Sequence, residues 1–374
     1  MFLKGVAQNL ALLAAALFAC LLMAEFFFGL FGISALREDV SSYRVKDAVF
    51  HHGFIPGSRG VSRSSEFEVG YSINSLGFRD GEHPVGKVNG TFRILVLGDS
   101  YTEGYGVEAA QRFSGLLEAM LNNGSGRRYE VVNMGVASYS PILEYLVLRD
   151  KGLALEPDLV ILNYDWSDAS NDYSYGLLSV RNGSGSLVAV SPPAEGNISL
   201  FARIRDFMSR RSYVYQFFAQ RFSPVTSQWV PGVVEGDPYI ITRDNLSVEG
   251  VRRLFNISAP FILEMNELLG SRGIPLVIHV YPLGHQLSAG AWKSGRLRFF
   301  LGDKAYPLLP FEVVEEFGRQ HGIRVVNSYG YFRDAGNYSG MFFDYDGHWT
   351  PAGHVVAATA LYAFLENSTI LSGD

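Results

Sequence analysis

Phe92-Arg93-Ile94-Leu95-Val96-Leu97-Gly98-Asp99-Ser100-Tyr101-Thr102-Glu103-Gly104-Tyr105-Gly106 is the stretch that decides the fold. An apolar run ends in Gly98-Asp99-Ser100 and a helix-like segment follows. A parallel strand buried on both faces reads as such a run, and open α/β sheets place their chemistry at the turn beyond a strand's carboxyl end. Ser100 is therefore a candidate nucleophile.

Downstream, apolar strands alternate with amphipathic helices, a pattern that predicts a parallel sheet covered on both faces. The expected strands are 92–98, 129–135, 158–165, 276–281 and 323–329, and the expected helices 108–122, 141–152, 259–272, 309–321 and 351–366. The last helix starts behind Thr350 as its cap, with Pro351 in the first turn. Between the third and fourth strands lies an insertion at about 169–258, too long for a plain connection and of the kind used for lids or binding loops. Its first part reads as a hairpin, Leu177 to Val180 and Leu187 to Val190, around Asn182-Gly183. Its second part, Leu200 to Phe222, reads as one amphipathic helix with aromatic residues, expected to cover the sheet.

Upstream, residues 34–90 are polar, with Gly and Pro scattered through His51-His52-Gly53-Phe54-Ile55-Pro56-Gly57. They read as a connector with short strands around Phe67 to Ile73, packed beside the main domain. From Gly5 to about Ile33 the chain is nearly all apolar, broken by Gln8, Asn9 and Glu25, and long enough to cross a hydrocarbon core of about 30 Å. Residues 1–33 are expected to be a transmembrane anchor. A signal-peptide cut after Leu22-Met23-Ala24 is disfavoured by the bulky Leu22, and a lipoprotein box at Leu17-Phe18-Ala19-Cys20 by Phe18 and the apolar residues beyond it.

Charges flank this segment on both sides, Lys4 before it and Arg37, Arg44 and Lys46 after it, so they do not orient it. Eight Asn-x-Ser/Thr tripeptides begin at Asn89, Asn123, Asn182, Asn197, Asn245, Asn256, Asn337 and Asn367. Ordinary Ser/Thr frequencies would give roughly two, so the excess suggests a glycosylated catalytic domain outside the cytoplasm, although loops rich in Asn, Gly and Ser produce the same tripeptides.

The 374 residues, 48% hydrophobic and 18% charged, suffice for a sizeable core. A net charge of −6 without any Lys/Arg run makes nucleic acid an unexpected partner. The single cysteine, Cys20, excludes an intrachain disulfide, a C-x-x-C redox pair and a cysteine-based zinc site.

A serine hydroxyl is a poor nucleophile at neutral pH and needs a base within reach, oriented by a carboxylate. Asp344-Tyr345-Asp346-Gly347-His348-Trp349-Thr350-Pro351 supplies both. His348, just before the final helix, can reach the same sheet edge as Ser100 and is the candidate general base. Asp346, two residues away, can bond the imidazole Nδ1 and hold its tautomer, with Asp344 as the fallback. Alone, this segment would read as a helix N-terminus whose acidic residues favour the dipole. Acyl transfer also needs donors for the developing oxyanion. Gly135, in Val131-Val132-Asn133-Met134-Gly135-Val136, closes the second strand at the right place, and Ser167, in Asn163-Tyr164-Asp165-Trp166-Ser167-Asp168, could add a side-chain donor.

These segments, in this order, resemble the SGNH/GDSL hydrolase superfamily over roughly residues 91–367: Gly98-Asp99-Ser100 matches the nucleophile block, Gly135 the glycine block and Asp346-Gly347-His348 the histidine block. The resemblance implies a flavodoxin-like three-layer α/β/α sandwich with a five-stranded parallel sheet. It also implies Ser100 attacking an ester carbonyl without metal or other cofactor, and an oxyanion hole from the amides of Ser100 and Gly135 and a third-block side chain. Two departures stand out. Where the family has Asn followed by Asp, this chain has Ser167-Asp168, with Asn171-Asp172 nearby; where many members place Asp three residues before His, it has Tyr345.

Other residues have plainer readings. His279 inside the fourth strand and His354 in the last helix read as core residues, and His51 and His52 lack the carboxylates a metal site would want. Trp166, Trp229, Trp292 and Trp349 could form a sugar platform, with burial as the default. The expected activity is that of a serine esterase removing acyl groups, acetyl among them, from a surface carbohydrate or related ester. The alternatives are an O-acyltransferase using the same triad on extracytoplasmic glycans, and a non-catalytic glycan-binding or scaffold protein.

Overall fold

A computed structural model describes residues 2–31, 42–192, 200–222, 247–293, 295–296, 308–336, 338 and 340–371. Asn197, Asn245, Asn337, Trp229 and Arg37, singled out in the sequence, lie outside the described residues.

The chain opens with α1 (Phe2–Leu30), then two antiparallel hairpins, β1 (Arg44–Asp47) with β2 (His51–Phe54) and β3 (Arg59–Arg63) with β4 (Glu68–Ser72). The αβ region follows as β5 (Thr91–Leu97), α2 (Ser100–Glu103), α3 (Phe113–Asn122), β6 (Arg128–Asn133), α4 (Pro141–Val147), β7 (Leu159–Tyr164) and α5 (Asp168–Gly176). Next come the hairpin β8 (Ser179–Arg181) and β9 (Leu187–Val190), then α6 (Leu200–Arg211), α7 (Tyr213–Phe222) and α8 (Val248–Gly270). The chain closes with β10 (Leu276–Val280), α9 (Gly284–Leu287), α10 (Leu309–His321), β11 (Arg324–Asn327), α11 (Tyr329–Asp334) and α12 (Pro351–Glu366).

Five strands form one parallel sheet in the order β11-β10-β7-β5-β6, the flavodoxin-like arrangement. β5, β7 and β10 are buried along their whole length, which is why they read as apolar runs. Alternate side chains feed two cores. Leu95 and Leu97 join Ile142, Phe255, Ile262 and Val314 on the face covered by α4, α8 and α10, whereas Ile94 and Val96 join Phe113, Leu117, Ala358 and Leu361 under α3 and α12. The layers are helix, sheet, helix. Because β5 has β6 on one side and β7 on the other, connections leave it in opposite directions, and the crevice at its carboxyl end is the topological switch point.

The hairpins before β5 belong to this core: Tyr43, Phe54, Tyr71 and Phe78 pack in the cluster that holds Leu95 and Ile142. α1 contains one segment, Gln8–Leu30, long and apolar enough to cross a membrane. The described tripeptide asparagines, Asn89, Asn123, Asn182, Asn256 and Asn367, are all exposed.

Three expectations need correction. The helix expected over 108–122 is a 3-10 turn, Ala109–Gln111, followed by α3, with the chain extended at Arg112 between them. The helix expected from 259 begins at Val248, where Ser247 Oγ accepts the Gly250 N–H at 3.1 Å. It runs through Pro260, which is exposed, so water can satisfy the carbonyl that Pro260 leaves without a donor. Residues 200–222 form two helices broken at Ser212, and α7 packs on α1 rather than on the sheet.

Candidate active site

Ser100 is the first residue of α2, directly beyond β5. Asp99 caps this helix, its Oδ1 accepting the Tyr101 N–H at 2.9 Å. Ser100 Oγ lies 2.7 Å from His348 Nε2, and His348 Nδ1 is hydrogen-bonded to Asp346 Oδ1. An Nδ1–H donated to Asp346 leaves Nε2 to accept the Ser100 hydroxyl proton, the polarity a general base requires. A two-residue separation closes this bond because Gly347 between them has φ 91°, a left-handed turn that folds the carboxylate back onto the ring. Gly347 also packs on the Trp292 indole, where a Cβ would come within 2.6 Å of a ring carbon.

Asp344, the fallback, points elsewhere: its carboxylate pairs with Lys293 at 3.0 Å on the surface. Glu66, at the tip of the β3–β4 hairpin, accepts the N–H groups of Tyr345 at 3.1 Å and Asp346 at 2.8 Å. The connector therefore clamps the loop that carries the carboxylate.

Gly135 occupies a place other than the one expected. Its N–H already donates to Asn133 Oδ1 at 3.0 Å, and it lies against α2, where a Cβ would sit 2.3 Å from the Glu103 nitrogen. It is a close-packing position under the nucleophile helix, away from the residues that line the pocket. The β6–α4 loop reaches the pocket three residues later, at Ser138, an exposed residue with φ 67°. That backbone is held on every side. Ala137 N–H donates to Glu103 Oε2 at 2.6 Å, the Ala137 carbonyl lies 2.8 Å from His52 Nε2, and the Ser138 carbonyl accepts from Tyr175 Oη at 3.0 Å. Among the described residues, the amides of Ser100 and Ser138 have no acceptor.

Glu103 is anchored in turn by Arg44, 2.5 Å away, and by the Tyr71 hydroxyl at 2.7 Å. Arg79 donates to the carbonyls of Gly104 at 2.6 Å and Val107 at 2.7 Å. Glu66, Glu103, Arg44 and Arg79 escaped sequence reasoning, since nothing in their local sequence marks them as braces.

Ser167 lines the same pocket, its N–H bonded to Asp165 Oδ1 at 2.6 Å. Asn171, Trp292, Leu283 and Gly284 line it as well. Trp166 and Trp349 are buried, Trp349 packing beside Tyr101 and Tyr281. His279 is a satisfied core residue between Asn163 Oδ1 and Ser328 Oγ, and burial lowers its pKa to about 3. His354 accepts the Phe113 N–H at 3.2 Å and is likewise held near 3 by burial. His51 and His52 touch through their Nδ1 atoms at 2.9 Å, and their pKa values are lowered, first by burial.

Buried carboxyl groups cluster near the site, two of them, Asp99 and Asp165, lining the pocket. Asp99, Asp165, Asp168, Asp172 and Glu144 are all buried, and among the described residues none forms an ion pair with lysine or arginine. Burial, then the charge of Asp165, lifts Asp99 to about 8, and burial lifts Asp172 to about 7. Asp165, Asp168 and Glu144 are also raised, burial again being the main cause. For His348 burial pulls the pKa down, and the Asp346 charge and hydrogen bond, together with the charges of Asp99 and Asp165, more than offset it, leaving the ring above its ordinary value.

No protein-family model matches the sequence, and comparison with curated proteins gives no match. The chain is similar to several solved structures. One is a lipase/acylhydrolase from Enterococcus faecalis, at 14% identity and TM-score 0.39, covering 74% of this chain and 95% of that one. Another is a member of the lipolytic protein G-D-S-L family from Veillonella parvula, at 12% identity and TM-score 0.37, covering 74% of this chain and 100% of that one. A third is a two-domain esterase active on acetylated mannans, at 12% identity and TM-score 0.36, covering 74% of this chain and 49% of that one.

Proposed function

We propose that this chain is a membrane-anchored serine esterase of the SGNH/GDSL type, acting outside the cytoplasm on an acylated carbohydrate or related ester. The observation that carries the reading is the line Ser100 Oγ, His348 imidazole, Asp346 carboxylate, with its 2.7 Å first step, at the mouth of a pocket at the switch point. Ser100 Oγ attacks the ester carbonyl carbon while its proton passes to His348 Nε2, and Asp346 stabilises the imidazolium. The tetrahedral oxyanion is received by the amides of Ser100 and Ser138, with Ser167 beside them in place of the family's asparagine. Collapse breaks the ester C–O bond, and His348 returns its proton to the departing alcohol oxygen. Water, deprotonated by His348, then attacks the acyl-Ser100 carbonyl, and collapse breaks the acyl–Oγ bond as His348 returns its proton to Ser100 Oγ and the carboxylic acid leaves.

The carbohydrate substrate follows from the outward location, which rests on α1 as anchor and on exposed glycosylation tripeptides such as Asn89, Asn182 and Asn256. Acetyl and other short acyl esters of a surface polysaccharide are the substrates to try first. The test is release of free acid from an O-acetylated glycan by the full chain. Transfer of the acyl group to an added acceptor glycan instead of water would make the enzyme an O-acyltransferase, and glycan binding without turnover would make it a binding protein.

A further inference from the structure

Among the described residues, α6 presents an exposed apolar face beside the anchor. Leu200, Phe201, Ile204 and Phe207 share one face of α6 and are 73%, 76%, 52% and 61% exposed. Phe218 on α7 is exposed too. In a chain of net charge −6, residues 200–222 hold five arginines, Arg203, Arg205, Arg210, Arg211 and Arg221, against one acid, Asp206. Arginines interspersed in sequence with Leu, Phe and Ile are the composition of a helix lying in a membrane interface.

α7 is joined to the last turns of α1. The Glu25 carboxylate accepts from Ser212 Oγ at 2.9 Å and from the N–H groups of Tyr213 and Val214, the latter at 3.1 Å. Phe28 packs on Phe217 with ring centroids 4.9 Å apart, and Tyr213 covers Gly29. An acid within an apolar span is costly unless partnered, and here it caps a helix N-terminus. Glu25 lies five residues before Leu30, the end of α1, hence about 7 Å along the helix axis. Interfacial helices bury their apolar faces by about 5–10 Å, so the contact sits at the depth such a helix occupies.

We propose that α6 and α7 form a second membrane contact, an interfacial hairpin whose apolar face enters the outer lipid layer while its arginines meet anionic headgroups. The inference rests on the reading of α1 as a membrane anchor. It gives the domain a fixed attitude to the bilayer where a single spanning helix would leave it tethered.

The experiment uses the full chain in vesicles of phosphatidylcholine and phosphatidylglycerol. An environment-sensitive fluorophore is placed in turn on native Cys20 and, in a Cys20→Ser background, on Phe201→Cys and Phe207→Cys, with Val180→Cys on the β8–β9 hairpin as the water-exposed control. Quenching is compared between spin-labelled lipid and aqueous iodide. The expected result is strong lipid quenching at 20, 201 and 207, with iodide quenching at 180. Lipid quenching at 20 with iodide quenching at 201 and 207 overturns the inference and leaves the anchor standing. Shielding of 201 and 207 from both quenchers assigns the face to a protein partner or second copy and also overturns it. Iodide quenching at 20 removes the anchor, and the inference with it.

Discussion

Ser100 Oγ and His348 Nε2 meet at 2.7 Å across 248 residues of sequence. The contact joins the first strand of the sheet to the loop before the last helix, at a distance that lets the hydroxyl donate to the ring. Replacing Ser100 by Ala is expected to lower kcat/KM on a short aryl ester by at least about 10³-fold, because the nucleophile is lost outright. Melting should be unchanged, since Ser100 is only partly buried. Equal rates for variant and parent would remove Ser100 from the mechanism.

Asp346 and Asp344 separate the carboxylate roles. Asp346→Asn should reduce kcat by about 10²–10⁴-fold, since the asparagine cannot hold the imidazolium. Asp344→Asn, which loses only a surface pair with Lys293, should stay within about threefold. The pH profile adds a sign. His348 must be neutral to accept a proton, and its pKa is raised, so kcat/KM in the parent should fall as pH drops through a midpoint above about 6.5. In Asp346→Asn that midpoint should move down. A midpoint identical in both proteins would detach Asp346 from the ring.

Gly135 packs against α2, whereas Ser138 lines the pocket. A Cβ at Gly135 would press on the Glu103 nitrogen at 2.3 Å, so Gly135→Ala should displace α2, lowering stability by about 1–3 kcal/mol and activity with it. Ser138→Gly keeps the amide and relieves a left-handed backbone at φ 67°, so activity should remain within about threefold and stability within ~1 kcal/mol. A phosphonate adduct on Ser100 should place its oxygen ~2.7–3.1 Å from the Ser138 nitrogen. An adduct oxygen bonded to the Gly135 nitrogen, with Asn133 swung away, would reverse the assignment.

The buried acids predict a stability that declines toward alkaline pH. A carboxyl group with folded pKa above its unfolded value binds its proton more tightly when folded, so its cost is absent below the unfolded pKa and grows as pH rises toward the folded one. For Asp99 and Asp172 that window runs from about 4 up to about 8 and about 7. Melting temperature should therefore fall between about pH 5 and 9. Asp172→Asn keeps an oxygen for the Ile142 N–H, bonded at 2.9 Å, and should gain roughly 2–4 kcal/mol relative to the parent at pH 8 while gaining little at pH 4. A parent melting temperature that rises with pH over this range would contradict the raised pKa values of these acids.

Much of the site was legible because its signals are local. β5, β7 and β10 read as strands since both faces are buried, and α12 starts at the Thr350–Pro351 junction with Pro351 in its first turn, although the Thr350 hydroxyl donates to the Gly340 carbonyl instead of capping the helix. Ser100, Asp346 and His348 stand on turns bordering those elements, so the parallel topology alone brings them to one edge. The start of α8 was hidden by Pro260, which reads as a boundary and is tolerated on an exposed face.

What the sequence by itself determined is the order of elements and the chemistry available at one rim of the sheet, because periodicity, caps and turn residues act over a few neighbours. Tertiary structure alone decided which residue of the β6–α4 loop lines the pocket and which acids have raised pKa values. Ser138 rather than Gly135 lines the pocket, with Glu103, His52 and Tyr175 from three distant segments holding that loop, and the pKa values of Asp99 and Asp172 are raised because other elements exclude water from them. Those are long-range hydrogen bonds and desolvation, set by packing between residues far apart in the chain, and neither leaves a mark on the local pattern.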